Sequence, residues 1–110
     1  MEVVESHGVR LLSCLIQDEA FAGGWALEKL LKQFYRDLWR ARGERPQPWP
    51  SVLREFNAVL KSINEGKEPK AYRTYKWFRE GRRRRRLRVY WIPSPAELGI
   101  GLSDDETIAA

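Results

Sequence analysis

Apolar residues recur along this chain at two different periods, and the change of period divides it. Between residues 9 and 21, Val9, Leu12, Leu15, Ile16 and Ala20 fall at three- and four-residue intervals, which predicts a first helix. Leu11 and Cys14 make a buried strand over residues 9–16 the competing assignment. Gly23-Gly24 interrupts the pattern. Residues 25–42 carry the clearest helical signal. Leu27, Leu30, Leu31, Phe34 and Leu38 form an apolar stripe, and Lys29, Lys32, Arg36 and Arg40 form a basic stripe away from it. Arg40 and Arg42 suit the negative end of the helix dipole, and Gly43 suits the position just past the helix. Pro46, Pro48 and Pro50 then impose an extended connector. Pro50 fits the first turn of a third helix over residues 50–63, whose stripe is Val52, Phe56, Val59, Leu60 and Ile63. Asn64-Glu65-Gly66 stops it.

Beyond residue 70 the period becomes two. Over residues 71–80, Tyr72, Thr74, Lys76 and Phe78 alternate with Arg73, Tyr75, Trp77 and Arg79. Over residues 85–92, Leu87, Val89 and Trp91 alternate with Arg86, Arg88 and Tyr90. With Gly81 between them, the two runs read as a β-hairpin. Pro93 and Pro95 end the second run. Residues 94–110 hold four acids (Glu97, Asp104, Asp105 and Glu106) and no base, and read as a flexible acidic tail. The first eight residues are polar and read as a frayed terminus, which leaves residues 9–93 as one domain. A chain of 110 residues buries about two-thirds of its unfolded surface, enough for one core.

Charge sharpens the picture. The chain carries a net +5, but residues 70–88 hold ten basic side chains against one acid, Glu80. The rest of the chain holds ten bases and fourteen acids. The basicity is therefore local, and a local basic patch points to a polyanionic partner. Arg82, Arg83, Arg84, Arg85 and Arg86 are its centre. Adjacent guanidiniums repel one another and are tolerable only in water or against anions. With about six phosphate contacts, the log–log dependence of affinity on salt would have a slope near −5. Arg73, Lys76, Arg79 and Arg88 extend the patch along the strands. One strand face has to cover the helices. The other can present Arg73, Tyr75, Trp77, Arg88 and Tyr90, a mixture that tracks a backbone and stacks on bases. On the third helix, Arg54, Asn57 and Lys61, with the small Ala58, lie opposite the apolar stripe. Arg and Asn read guanine and adenine by paired hydrogen bonds, so this is a candidate recognition face. Lys29, Lys32, Arg36 and Arg40 form a secondary patch.

Chemistry of other kinds finds little here. One cysteine, Cys14, excludes an internal disulfide, and with one histidine, His7, it argues against a structural metal. Cys14 lies beside an apolar stripe, as a buried thiol does. Asp18-Glu19 and the acids of the tail lack the partners that a metal-dependent nuclease gathers from rigid elements. No phosphate-cradling glycine loop occurs, so no catalytic residue, metal or cofactor is expected. No apolar run reaches the roughly 20 residues of a membrane span. The acidic N-terminus does not resemble a signal peptide, and a cytoplasmic location is expected.

Three helices followed by a basic hairpin is the order of a winged helix. The expected fold class is α+β, a three-helix winged helix-turn-helix with a basic C-terminal β-hairpin. The stretch from Leu31 to Leu60, with Phe34-Tyr35-Arg36, Trp39, Gly43, Pro46, Phe56 and Leu60, resembles the winged-helix domain that closes many primase-helicases of phages, plasmids and large DNA viruses. The resemblance spans residues 25–92, with residues 72–91 as the hairpin, and the primase and ATPase parts are absent from the chain. It implies double-stranded DNA as the partner and a role in replication or transcription control of a mobile element. A single module offers a modest interface, which a homodimer would extend. Two further readings stay open: a protein-interaction module that sets the basic hairpin on an acidic partner, as a phage inhibitor or an adaptor would, and a single-strand or RNA-binding sheet.

Overall fold

The computed structural model describes residues 6–99, an α+β fold of four helices and a three-stranded antiparallel sheet. In chain order these are α1 (His7–Ile16), β1 (Gly24–Leu27), α2 (Glu28–Ala41), α3 (Trp49–Ile63), a 3-10 turn (Pro69–Ala71), β2 (Arg73–Glu80), β3 (Arg83–Ile92) and the short α4 (Pro95–Leu98). The sheet order is β1-β3-β2, so the last strand lies in the middle.

The first helix is helical, as the preferred assignment had it, but its limits differ from the expected 9–21. It starts at His7 because the Ser6 hydroxyl accepts the Val9 N–H at 3.3 Å, a standard N-cap. It ends at Ile16 because Asp18 builds a turn, its carboxylate accepting the Ala20 N–H and its carbonyl those of Phe21 and Ala22. Leu11, Leu12, Leu15 and Ile16 are buried, while Val9 and Ala20 are exposed. Of the expected frayed terminus, residues 6–8 thus belong to the cap and first turn of α1, and residues 1–5 lie outside the described residues.

The expected helix over residues 25–42 is two elements. Its first residues form β1, which pairs with β3 in the register Gly24↔Ile92 to Leu27↔Val89. A strand of four residues shows no period of its own, and its partner lies more than sixty residues away, so only tertiary pairing makes it a strand. The buried stripe of α2 is Leu31, Tyr35 and Trp39, with Phe34 and Leu38 at its flank. Leu30 is 48% exposed. Two aromatics at four-residue spacing from Leu31 thus displace the purely aliphatic stripe. The third helix follows its expected pattern through Val52, Phe56 and Leu60, with Pro50 in its first turn, although Ile63 is exposed.

The helices cover the sheet face that carries Ala26, Tyr90 and Ile92, all buried in the core. Tyr90 meets Phe56 of α3 edge-on at 5.7 Å. This reverses the expected orientation of the foot of β3, where Tyr90 was placed on the open face. On the outer face Trp91 and Trp25 pack edge-on at 5.4 Å, and both stay half-buried. The chain then turns through Ser94, which caps α4 reciprocally with Glu97. Glu97 also receives the Trp91 indole N–H at 3.0 Å. Of the expected tail, residues 94–99 form this capped turn, and residues 100–110 lie outside the described residues.

Candidate nucleic-acid interface

The basic segment is built on the antiparallel pair β2 and β3, in register from Arg73↔Tyr90 to Glu80↔Arg83. Gly81 and Arg82 connect them, and only Gly81 has a positive φ, of 60°. That is the pattern of a two-residue II′ turn, which suits the right-handed twist of paired strands. Side chains alternate across the pleat, so the arginine run is divided between two faces. Arg84, Arg86 and Arg88 share a face with Tyr75 and Trp77, their cross-strand neighbours. Arg83 and Arg85 fall on the other face, where Arg85 lies 3.5 Å from Glu80.

The first of these faces is an interleaved ladder of cations and rings. The Arg84 guanidinium lies 5.1 Å from the centre of the Trp77 ring. Those of Arg86 and Arg88 lie 4.4 and 4.7 Å from the Tyr75 ring. Arg88 also donates to the Tyr75 hydroxyl at 2.8 Å. Trp77 is 60% exposed and Tyr75 44%, so both keep ring surface open to a ligand. Cation–π contacts at exposed sites are worth about 0.5–1 kcal/mol each, enough to bias the guanidiniums toward extended poses over the rings. Of the five side chains expected on this face, Tyr75 and Trp77 are exposed and Arg73 and Arg88 half-buried. Tyr90 is fully buried, because at the foot of the strand the same face passes under the helices. Arg79, Arg82 and Lys76 are exposed, and the Lys76 ammonium sits 4.8 Å over Trp25 on the outer face.

A polar knot anchors the foot of the hairpin to α2 and α3. The Glu28 carboxylate receives the Trp49 indole N–H at 3.3 Å and the Tyr90 hydroxyl at 3.4 Å. Burial pushes the Tyr90 phenol above its ordinary value, against the opposing pull of the Arg88 and Asn57 side chains beside it. Arg88, hydrogen-bonded to Tyr90 and Tyr75, is held even more firmly protonated than a free guanidinium. Sequence periodicity set Tyr90 on the open strand face and did not single out Glu28 or Trp49. The one signal was Glu28 itself, an acid opening a stripe of bases.

Beside this knot lies a cleft of about 380 Å³ lined by Leu27, Lys29, Lys32, Trp49, Arg85, Leu87 and Arg88, with Glu28. The fold therefore brings Lys29 and Lys32 of the secondary patch to Arg85 and Arg88 of the hairpin. Arg36 and Arg40 continue along the exposed side of α2. On α3, Arg54 and Lys61 are exposed, and Asn57 is half-buried with its carbonyl oxygen enclosed next to Tyr90. His7 opens α1 with Nδ1 2.8 Å from the Tyr35 hydroxyl and its ring against Trp39.

Among the described residues, no three His, Cys, Asp or Glu side chains converge as a metal site, and no helix is long and apolar enough to cross a membrane. Comparison with models of known protein families, with curated proteins and with solved structures finds no match.

Proposed function

We propose that this chain is a non-enzymatic, winged-helix DNA-binding protein that acts in replication or transcription control of a mobile element. Its hairpin β2–β3 is the wing and grips phosphates through Arg84, Arg86 and Arg88, with Arg73, Arg79, Arg82, Arg83 and Arg85 around them. Its α3 enters the major groove, with Arg54 and Lys61 toward the bases and nearby phosphates and Asn57 at the inner margin. Lys29, Lys32, Arg36 and Arg40 flank the duplex.

The observation that carries this reading is the cation–aromatic ladder on one hairpin face, tied at its foot through Tyr90 to α3. It supports a single basic surface that runs from a projecting hairpin to a helix with exposed polar side chains. The order α1-β1-α2-α3-β2-β3, with β1 paired to the last strand, agrees with winged-helix topology. The partly open Trp77 and Tyr75 rings favour a second reading, single-stranded DNA or RNA stacked on the hairpin.

Titration with duplex DNA, single-stranded DNA and RNA at several salt concentrations tests both. The expected result is tightest binding to duplex, with affinity falling steeply as salt rises. Replacing Arg84 and Arg86 with Ala should make the log–log slope shallower by about 2. Unchanged duplex binding in that variant would sink the phosphate-gripping hairpin, and preference for single strands would select the second reading.

A further inference from the structure

The middle strand of the sheet has a neighbour along only part of its length on one side. β1 pairs with β3 from Ile92 to Val89 and stops there, because the chain turns into α2 at Glu28. β3 continues to Arg83, paired with β2 alone. The direction of the backbone groups follows from two hydrogen bonds. The Trp91 N–H donates to the Tyr72 carbonyl, on the β2 side, at 2.8 Å. The Ile92 carbonyl accepts the Gly23 N–H, on the β1 side, at 2.7 Å. In an antiparallel strand the N–H and C=O of one residue point to the same side and alternate along the chain. Arg84 and Arg86 therefore aim both groups at the open side, where no described strand meets them.

This edge runs into the cleft beside α2. Leu27 and Leu87 line that cleft with Arg85 and Arg88, and Lys29 and Lys32 of α2 face the edge across it. Such an edge takes an added strand unless it is blocked, and among the described residues the block is charge. The same charge selects the occupant. A second copy of β3 would set one arginine run against another. A phosphate backbone accepts hydrogen bonds but donates none, and would leave the carbonyls of Arg84 and Arg86 facing its oxygens. A polypeptide strand satisfies both.

We propose that the open edge of β3 is a docking site for an extended acidic segment of a partner protein, added as a fourth strand beside Arg84–Arg86. Its side chains alternate between the two faces. On one they meet Arg84, Arg86 and Arg88, and on the other they meet Arg85 and then Leu87 and Leu27. The segment that fits carries Asp or Glu at every second position, with an apolar residue on the other face where it meets Leu87 and Leu27. This site does not depend on the DNA reading, since it uses the strand edge and not the hairpin face alone.

The test uses a labelled peptide that alternates Glu and Val, and an isomer of the same composition with its Glu residues grouped together, both titrated by fluorescence anisotropy at low salt. The alternating peptide should bind and the grouped isomer should bind about tenfold more weakly, the loss expected when one or two hydrogen bonds and an apolar contact go unmade. Methylating the peptide amides in one alternate set should abolish binding, and methylating the other set should leave it intact. In the protein, Arg86→Pro removes an N–H that faces the open edge and spares the ladder to β2. It should weaken the peptide about tenfold beyond Arg86→Ala, which loses the charge alone. Equal binding of the two isomers, or indifference to both methylated sets, would overturn the proposal even if Arg86→Pro fails to fold. Equal binding by a folded Arg86→Pro and Arg86→Ala would overturn it as well. Duplex DNA titrated against the same proteins reports on the DNA reading separately.

Discussion

Gly8 of α1 lies so close to Glu55 of α3 that the two helices share their hydrogen bonds. The Glu55 carboxylate accepts the Gly8 N–H at 3.0 Å and the Ser6 hydroxyl at 2.9 Å. It thereby satisfies a first-turn donor of α1 that the helix cannot pair itself. A Cβ on Gly8 would lie 2.5 Å from both the Glu55 Cβ and the Phe56 backbone nitrogen. In an ordinary helix interior Gly→Ala stabilises by up to about 1 kcal/mol. Here the clash is with backbone, so Gly8→Ala should destabilise by about 1–3 kcal/mol, read as a lower urea midpoint with unchanged slope.

The same contact sets a pH dependence. The Gly8 N–H, together with the Ser6 hydroxyl, holds the Glu55 carboxyl below its ordinary 4.5, against some desolvation. A carboxyl lowered in the folded state stabilises above its unfolded value, and that contribution is lost as pH falls through the folded value. Stability should therefore decline below about pH 4.5, and Glu55→Gln should flatten that decline while lowering stability at neutral pH. Urea midpoints measured from pH 3 to 7 check both.

Tyr90→Phe removes the hydroxyl that reaches Glu28 and Arg88 at the foot of the hairpin. The ring stays against Phe56, so the expected loss is about 1 kcal/mol, the worth of a hydrogen bond to a charged partner in a half-open site. A variant as stable as the parent would show that the polar knot adds nothing to the packing.

Trp77 separates the two nucleic-acid readings. It is the most exposed large ring of the fold. If bases stack on it, Trp77→Ala should weaken single-strand binding by about 1–3 kcal/mol. If the hairpin only grips duplex phosphates, the same variant should bind duplex about as well as the parent. Parallel titrations of the two substrates decide.

Arg54 and Lys61 make different claims. Arg54→Ala should relax discrimination among duplex sequences at one position by about 1–3 kcal/mol, whereas Lys61→Ala should weaken all sequences alike and make the salt slope shallower by about 1. A selection for bound sequences, repeated with each variant, reads the first, and salt titration reads the second.

Much of this architecture was legible in one dimension. The third helix follows its hydrophobic period closely and the hairpin forms where the period turns to two, because each is long enough for several repeats of its own pattern, although burial along β3 does not alternate. Local chemistry ends them: prolines on one side of α3 and Gly81 at the hairpin turn. The rest was not legible, and for identifiable reasons. The strand β1 exists only because β3 is there to pair with it. The buried stripe of α2 includes Tyr35 and Trp39 because α1 and α3 present His7 and Trp49 to them, and no spacing within α2 reports that.

The arginine run divides along the same line. By itself the sequence determined that Arg82–Arg86 would be solvated, positively charged and carried at a turn between two extended segments, since five adjacent guanidiniums cannot be buried. Pleat alternation also required that neighbours point to opposite faces. Which arginines join Tyr75 and Trp77 in a ladder, and which face Glu80 instead, was decided by the β2–β3 register. That β3 turns Tyr90 inward at its foot and leaves the backbone of Arg84 and Arg86 open at its edge was decided by where β1 stops and α2 begins. Both outcomes depend on contacts between segments distant in the chain, and those contacts form only when the core closes.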